Sequence, residues 1–600
     1  MCDGMSRWPP QGVKGKRRCL RRLWLVDVRR MVRLDGGMNL NGSLQNGVGL
    51  ENQVMMMKQP AIPGGALAAG RRMPRIEMKI LLSILQEPDS SNNVSSRRWL
   101  PAKARRPGGG RFVAVLAVLT MLSAAVCGAG HAGAADRAPD APDAARPNVV
   151  MLLLDDAGWT DTGGFGGLMR TPNLDRLAEQ GMMFTDCHSP APNCSPARAG
   201  ILTGRIPARI GIYSYLAPNH VMHLPADEVT IAGLLREAGS RTGLFGKWHL
   251  SNLDDDGQPG PTEHGFEHWL ATNNNADPSH LNPVNFRRNG EPVGRIEGYS
   301  CQIVVDETLA WLDRIGAGDE GAAPFFACLW FHEPHTPIAS PPELVREIRE
   351  RHPEMSERDA VYHANIENVD LAVGRLLERL DDLGLAENTV VWFTSDNGPL
   401  NAFSKGELRG LKSHVWEGGH RVPGIVRWPA RIAAGGVCEV PVSGIDFLPT
   451  LCEIMGVAVP ADRAIDGASQ LPLWEGREQE FRRETPLYWF FYRVNPSLAL
   501  REGPWALVAR TNDAGRPKAH ALVREDLPRI QKSEPVEFFL YHLDRDLGQT
   551  RDLTAEQPEV LERLKERLRS LHREVVAEGE VWDIPPGYGA DRPRRVWDSE

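Results

Sequence analysis

A short segment around Cys194 brings together a cysteine, a proline and an arginine at spacings that could do chemistry. Pro196 lies two residues after Cys194, and Arg198 lies two residues further on. Because proline is favoured at the first helical position, the pattern predicts a helix that begins at Pro196, with Cys194 just ahead of it. Unpaired N–H groups at a helix start attract negative charge, so an anionic substrate could face Cys194 there. A buried cysteine in a capping turn is the alternative interpretation.

Four predicted strands end in polar residues that could bind a metal ion or move a proton. The clusters are Asp155–Asp156 after 149–154, Lys247–Trp248–His249 after 241–246, His332–Glu333–Pro334–His335 after 325–331, and Ser395–Asp396–Asn397–Gly398 after 389–394. If the strands are parallel, all four clusters lie at one edge of one sheet, where open α/β sheets bind ligands. Taken singly, each cluster is also typical of a cap, a turn or a surface loop. The prediction of a site depends on their coincidence.

The side chains at this edge would suit a hard cation and an anion side by side. Three carboxylates and one amide would meet there: Asp155, Asp156, Asp396 and Asn397. This oxygen-rich set without a thiolate favours Ca²⁺ or Mg²⁺ over zinc. The neighbouring Lys247, His249 and His335 could bind an anion and transfer a proton.

The regions that would position these residues alternate apolar runs with helical patterns from residue 148 onward. The continuous apolar run 149–154 is typical of a strand buried on both faces. Helices are predicted over 171–181, 230–238 and 363–383. We therefore expect an α/β fold with a large, mainly parallel sheet flanked by helices.

Beyond residue 485 the sequence no longer alternates apolar runs with helical patterns. Three aromatic-rich segments and a charged helix over 557–574 predict a smaller C-terminal α+β domain with antiparallel strands. The predicted boundaries are a catalytic domain over 147–455, a linker over 456–485 and a C-terminal subdomain over 486–600. The length of 600 residues agrees with more than one domain. The net charge of −8 argues against a nucleic-acid-binding protein.

The N-terminal region contains an export pattern. Residues 1–111 form an irregular leader, most of which a start codon downstream of Met1 would remove. Residues 112–134 combine an apolar core with a preceding basic flank and a small-residue cleavage pattern, typical of a secretory signal. We expect a periplasmic or extracellular protein without a stable membrane span after processing. A membrane anchor and a lipidated Cys127 are alternatives, although the apolar run is short for a span.

The remaining cysteines form no recognisable framework. After the leader they are Cys187, Cys194, Cys301, Cys328, Cys438 and Cys452. No Cys-x-x-Cys pair indicates zinc or thioredoxin-like chemistry. Disulfides are therefore permitted by an oxidising compartment but not required.

In the order and spacing of its motifs, the chain resembles the type I sulfatases of the alkaline-phosphatase-like superfamily. The arylsulfatase and N-acetylgalactosamine-6-sulfatase group is the most similar. The resemblance covers residues 147–552 and is carried by the strand-end clusters together with the segments 194–204, 246–249 and 412–419.

The resemblance implies that a formylglycine-generating enzyme oxidises Cys194 to formylglycine (3-oxoalanine), whose hydrate attacks the sulfur of a sulfate ester. It implies one Ca²⁺ ion held by Asp155, Asp156, the modified Cys194, Asp396 and Asn397. It also implies that Arg198 holds the formylglycine hydroxyl, with His249 nearby. Lys247 and Lys412 would neutralise the sulfate oxygens, and His335 would protonate the leaving alcohol. The implied substrate is a sulfated small molecule or glycan.

Two other functions are alternatives for this sequence. A formylglycine-dependent phosphonate or phosphate ester hydrolase would share the Cys194 signature. An inactive glycan-binding relative would have lost part of the site, whereas all of its positions hold competent residues. Two-zinc relatives typically carry histidine where this chain has Asn397. Further polar residues lie between the matched motifs, where substrate contacts often fall in relatives: Asn273–Asn274–Asn275, His280 and Arg287–Arg288. They are interpreted as surface loops, with substrate contacts as the alternative.

Overall fold

The computed structural model describes residues 146–589, except 256, 514, 517 and 520, together with the backbone of 594–595 and 597–598. The predicted leader (1–111) and the predicted signal segment (112–134) lie outside the described residues. Within the described part, none of the helices combines the length and the apolar character that a membrane crossing needs.

The elements of the described part are numbered in chain order. The helices are α1 (Pro172–Glu179), α2 (Cys194–Thr203), α3 (Ile231–Glu237), α4 (Ser300–Arg314), α5 (Pro342–Arg351), α6 (Glu357–Asp382), α7 (Glu417–His420), α8 (Phe447–Met455), α9 (Leu471–Trp474), α10 (Leu527–Gln531) and α11 (Pro558–Glu578). The strands are β1 (Asn148–Leu154), β2 (Met182–His188), β3 (Arg241–Lys247), β4 (His268–Thr272), β5 (Phe286–Arg288), β6 (Glu291–Gly294), β7 (Phe325–Trp330), β8 (Thr389–Ser395), β9 (Arg421–Arg427), β10 (Gly436–Cys438), β11 (Val442–Ser443), β12 (Leu487–Phe490), β13 (Val494–Asn495), β14 (Leu498–Glu502), β15 (Trp505–Thr511), β16 (Lys518–Ala519), β17 (Pro535–His542), β18 (Arg594–Arg595) and β19 (Trp597–Asp598).

One large sheet organises the fold. Eleven of the described strands form it in the order β10–β2–β9–β8–β1–β7–β3–β4–β5–β6, with β11 beside β2. The central strands β8, β1, β7, β3 and β4 run parallel, and β9 and β5 join them antiparallel on either side. The expected α/β class is confirmed. Because the four strands β8, β1, β7 and β3 are parallel neighbours, their polar ends meet at one edge.

Helices cover both faces of this sheet because successive strand side chains point to opposite faces. In β1, Val149, Met151 and Leu153 belong to the core on one face, which includes α2, α3 and α8. Val150 and Leu152, with Leu154, belong to the core on the other face, which includes α1, α4 and α6. The apolar run that suggested a strand buried on both faces is therefore explained by two layers of helices.

A second sheet follows, as expected from the aromatic-rich segments. Strands β12, β14, β15 and β17 pair antiparallel, and α11 packs on β15 and β17. The segment predicted as a linker contains the short helix α9, whose Trp474 is buried. The domain boundaries themselves remain a prediction.

Two helices begin earlier than predicted. Helix α2 begins at Cys194 and not at Pro196. Proline is tolerated in the third helical position because the first N–H groups of a helix have no intrahelical partner. Helix α6 begins at Glu357, since the Ser356 hydroxyl accepts a hydrogen bond from the Asp359 N–H and caps the first turn.

A buried histidine makes the fold sensitive to acid. His572 of α11 contacts the Tyr488 hydroxyl through Nδ1 (2.7 Å) and the Ser533 hydroxyl through Nε2 (2.9 Å), and burial lowers its pKa to about 4. The unfolded chain, with an ordinary histidine pKa, binds the proton first. Stability is therefore full above pH ~6.5 and is lost as pH falls towards 4, by at most about 3 kcal/mol.

Urea unfolding at pH 7 and pH 4.5 checks this expectation. Other groups titrate in the same pH range. The quantity compared is therefore the change in the free energy of unfolding between the two pH values, in the wild type and in His572→Gln. The variant should lose less stability on acidification than the wild type. An identical loss in both proteins would contradict the assignment.

Candidate active site

The N-terminus of α2 lines a cavity of about 340 Å³. Cys194 is the first helical residue, and all ten residues of α2 are buried. The cavity is also lined by His249, His335 and Lys412. The structure thus brings the predicted cysteine together with residues that follow three other strands.

The carboxylates after β1 and β8 interlock beside Cys194. The Asp156 N–H donates to Asp396 Oδ1 (3.2 Å), and the Asn397 side-chain amide donates to Asp156 Oδ1 (2.7 Å). Three buried oxygens accept no hydrogen bond from the described part of the chain: Asp155 Oδ1, Asp156 Oδ2 and Asn397 Oδ1. Buried oxygens without donors fit a hard cation, because an ion would supply the missing partner.

The ligand atoms lie close enough for such an ion. One atom each of Asp155, Asp156, Cys194 and His335 falls within 4.8 Å of the others. Asp396 is oriented differently, because its Oδ2 accepts from Arg198 Nε (3.0 Å) and Nη2 (2.7 Å). Its Oδ1 faces the Asp156 backbone, so the predicted five-residue set is grouped in space.

Three buried cations balance the carboxylates. Lys247 Nζ lies 2.6 Å from Asp155 Oδ2, and Lys412 Nζ lies 2.5 Å from Asp156 Oδ1 and 3.2 Å from Cys194 Sγ. Burial opposes ionisation of Asp155, but Lys247, His335 and Arg198 hold its pKa well below the usual range. Lys412 therefore contacts both the carboxylate cluster and the cysteine.

The pKa values of two groups rise with burial. Burial and the neighbouring Asp155 raise the pKa of Asp396 to about 7, against the opposing charges of Arg198 and Lys247. Burial raises the pKa of the Cys194 thiol to about 11, although Lys247 and Lys412 oppose the rise. At neutral pH the thiol is protonated, and a protonated thiol is a poor nucleophile.

The backbone adopts rare φ angles just after the strands that carry these side chains. Asp156 and His249 adopt positive φ angles of 68° and 57°, which non-glycine residues rarely do. Gly246 has φ 110°, and a Cβ there would lie 1.9 Å from the Trp330 carbonyl oxygen. Only glycine allows β3 to approach β7 this closely before it turns to present Lys247.

The histidines differ in their surroundings. His249 Nε2 lies 3.0 Å from the Leu216 carbonyl oxygen, so Nε2 carries the proton and Nδ1 is an acceptor. His335 Nδ1 lies 2.6 Å from the Thr336 carbonyl oxygen, and its Nε2 lies 3.5 Å from Asp156 Oδ2. His332 is buried with Nε2 against the Thr272 hydroxyl (2.8 Å). Of the two histidines after β7, His335 is the one that lines the cavity.

Comparison with known proteins identifies the family. A family model described as "Sulfatase" matches residues 147–457, slightly more than half of the chain. The chain belongs to the sulfatase family. A second model, "N-sulphoglucosamine sulphohydrolase, C-terminal", matches residues 411–514. This sulfatase is a sulfuric ester hydrolase, as the motifs implied.

Relatives of the sulfatase include N-acetylgalactosamine-6-sulfatases and steryl-sulfatases. N-acetylgalactosamine-6-sulfatase from Canis lupus familiaris is 35% identical over 60% of this chain and 71% of that protein. Human steryl-sulfatase is 30% identical over 57% of this chain and 72% of that protein. The crystal structure of the sulfatase PsFucS1 from Pseudoalteromonas sp. matches with a TM-score of 0.57 and 26% identity, covering 73% of this chain and 92% of that one.

The sulfatase cavity also contains residues that sequence reasoning missed. Tyr215 lies in the segment between α2 and α3, and Arg493 follows β12 of the second sheet. The Arg493 guanidinium lies 5.5 Å from the Tyr215 ring centroid, and its Nη1 donates to the Ser214 hydroxyl (3.0 Å). Neither residue lies in a recognisable motif. Asn274, which was interpreted as part of a surface loop, also lines the cavity, because the loop after β4 follows a strand of the same parallel set.

Proposed function

We propose that this sulfatase hydrolyses the sulfate ester of a small molecule or glycan through a formylglycine derived from Cys194, with one bound Ca²⁺. One observation supports this most directly. Cys194 begins a buried helix, contacts Lys412 through Sγ, and lies beside three buried oxygens that lack donors in the described part of the chain.

The state of the cysteine supports a modification. A thiol whose pKa is raised to about 11 is not an effective nucleophile at neutral pH. An aldehyde at this position would hydrate and supply two hydroxyl groups, one to attack sulfur and one whose proton is lost as sulfate leaves. We propose that a formylglycine-generating enzyme is the maturation partner, and that the protein acts after export.

The bound ion and the two lysines would together stabilise the negative charge of the sulfate. The ion would polarise a sulfate oxygen and lower the pKa of the attacking hydroxyl. Lys412 and Lys247 would neutralise oxygens that gain negative charge in the transition state. Arg198 holds Asp396 through two donors and so fixes one carboxylate of the cation site. His249 Nδ1 would accept a proton from a hydroxyl on residue 194.

His335 would protonate the leaving group. Its Nδ1 is held by the Thr336 carbonyl, which leaves Nε2 towards the cavity and the carboxylates. A proton on Nε2 would pass to the oxygen of the departing alcohol. The alcohol therefore leaves as a neutral molecule from the side of the cavity that His335 lines.

Removal of the metal should inactivate the enzyme and destabilise it. Dialysis against a chelator is expected to lower sulfate release at least about 100-fold, since a Lewis acid in such a site contributes several kcal/mol. Ligand linkage predicts that the thermal unfolding temperature falls as well. Ca²⁺ should restore both, and Mg²⁺ should restore less. Full activity in protein shown by elemental analysis to lack divalent metal would contradict the proposal.

A comparison of two substrates tests the reaction class. Enzyme whose Cys194 has been converted to formylglycine should hydrolyse 4-nitrophenyl sulfate or a sulfated monosaccharide. Its kcat/KM for these sulfate esters should be well above that for the phenylphosphonate ester of the same alcohol. A higher kcat/KM for the phosphonate would favour the phosphonate hydrolase instead. Enzyme in which Cys194 is unmodified should turn over neither substrate.

A further inference from the structure

Three buried side chains outside the catalytic cavity form a cluster between β2, α7 and the second sheet. His188 ends β2, and Glu417 and His420 begin and end α7. One ligand atom of each residue lies within 4.8 Å of the others, and all three side chains are buried. The Trp489 ring of β12 stacks on the His420 ring, with 3.8 Å between the ring centroids. The cluster therefore lies where the second sheet packs against the large sheet.

The hydrogen bonds of the two histidines bring two acceptor nitrogens together. His188 Nε2 lies 2.7 Å from Asp186 Oδ1, and His420 Nε2 lies 3.2 Å from the Val415 carbonyl oxygen. Because an ionised carboxylate and a carbonyl only accept, each Nε2 carries the ring proton. Burial and the neighbouring His188 hold the pKa of His420 well below its usual range, so the His420 ring stays neutral and its Nδ1 is an acceptor. The two Nδ1 atoms lie 3.1 Å apart, and their lone pairs repel unless a metal ion or a proton on His188 lies between them.

The geometry of the cluster matches the ligands of a zinc ion. Two nitrogens bound to a tetrahedral zinc at about 2.05 Å lie about 3.3 Å from each other, close to the 3.1 Å between the two Nδ1 atoms. Histidines that bind a metal usually donate their other N–H to a carboxylate or a backbone carbonyl, as His188 and His420 do. Glu417 supplies a third ligand, because its contact with Arg421 uses Oε2 (3.3 Å) and a carboxylate accepts through both oxygens.

The charges around the cluster favour zinc over a hard cation. Arg421 Nη1 lies 3.2 Å from Asp186 Oδ1 as well as beside Glu417, and Arg501 Nη2 lies 2.7 Å from Asp186 Oδ2. Since two carboxylates face two guanidinium groups, little negative charge is left to attract Ca²⁺ or Mg²⁺, which bind through oxygen. Zinc affinity depends more on bonds to imidazole nitrogen, and the cluster offers two of these.

We propose that His188, Glu417 and His420 bind one zinc ion, which fixes the second sheet against the large sheet. The ion also supports the catalytic edge through Ser189. The Ser189 N–H donates to the His420 carbonyl (2.7 Å), and the Ser189 hydroxyl donates to the Asp396 carbonyl. The zinc site is separate from the catalytic cation and does not depend on the proposed function.

Zinc binding by a matched pair of histidine variants tests the site. All proteins carry Cys194→Ala and are kept in excess Ca²⁺, so that the catalytic site offers zinc no thiolate. Dialysis of metal-free protein against zinc chloride, followed by elemental analysis, should give one zinc per chain. His420→Gln should weaken zinc binding by at least about 100-fold, since even the loss of an outer hydrogen-bond partner weakens it 10- to 100-fold. His572→Gln changes a buried histidine of α11 outside the cluster and should bind zinc as tightly as the parent.

X-ray absorption at the zinc edge of the parent protein decides the question even if His420→Gln does not fold. The spectrum should show the scattering of two imidazole rings, with nitrogen and oxygen neighbours at about 2.0 Å. Substoichiometric zinc in the parent, unchanged binding in His420→Gln, or a zinc spectrum without two imidazole rings would overturn the proposal. A ring-proton NMR signal between the two Nδ1 atoms, in protein that binds no zinc, would show that a proton on His188 takes the place of the metal and would overturn it as well.

Discussion

Replacing Cys194 with serine is expected to abolish multiple turnover. Loss of a nucleophile in a unit of cooperating groups lowers kcat by roughly four orders of magnitude or more. Serine could still attack sulfur from the same helix N-terminus, but it has only one hydroxyl. It could not reform an aldehyde to expel sulfate, so a sulfated serine should accumulate.

The measurement is steady-state sulfate release together with the mass of the peptide that contains residue 194. Cys194→Ala is the control, since it should give neither turnover nor a sulfated peptide. Cys187→Ser, which changes another buried cysteine seven residues earlier, should retain activity in whatever fraction folds. Normal turnover by Cys194→Ser would contradict the proposed mechanism.

Replacing Lys412 with alanine is expected to lower kcat/KM by about 100- to 1,000-fold. The Lys412 ammonium lies 2.5 Å from Asp156 Oδ1 and 3.2 Å from Cys194 Sγ, at the place where sulfate charge would develop. Removing one preorganised donor from such a position typically has an effect of this size. Arginine at the same position keeps the charge but not the compact geometry, so it should rescue only part of the loss.

Lys405→Ala is the matched control for Lys412. The Lys405 Nζ donates to the Leu408 carbonyl (2.6 Å) in the same loop and does not line the catalytic cavity. Its activity should stay within about twofold of wild type, the range of ordinary surface substitutions. A similar loss in both variants would mean that the loop, and not the ammonium of Lys412, is responsible.

The arrangement of the catalytic edge could be predicted from the sequence because it follows from local patterns. The apolar run 149–154 indicated a strand buried on both faces, and the polar pairs after it and after 389–394 marked the strand ends. Parallel strands place such ends at one edge, whatever the loops between them do. The grouping of Asp155, Asp156, Asp396 and Asn397 followed from that rule alone.

Other parts of the site depend on contacts between distant segments and were not predictable. Arg493 reaches the cavity from the second sheet, and no pattern around residue 493 indicates this placement. Asn274 was interpreted as a surface-loop residue, although it lies between the matched motifs, where relatives often contact the substrate. Its place in the catalytic cavity depends on how β4 pairs with β3, a register that the sequence does not specify.

The beginning of α2 shows the limit of a single local rule. Proline at the first helical position predicted a start at Pro196, whereas the helix begins at Cys194. The rule identified the correct element and missed its boundary by two residues, because proline costs no hydrogen bond anywhere in the first turn. The boundary affects the chemistry, because it makes Cys194 part of the helix and places it directly at the positive end of the helix dipole.

The most direct test of the central claim is the chemical state of residue 194 in active enzyme. The protein would be produced with and without a formylglycine-generating enzyme, and the peptide containing residue 194 would be analysed by mass spectrometry beside sulfate release. The account predicts an aldehyde at residue 194 and an activity proportional to the fraction converted. Full sulfatase activity in protein whose Cys194 remains an unmodified thiol would contradict it.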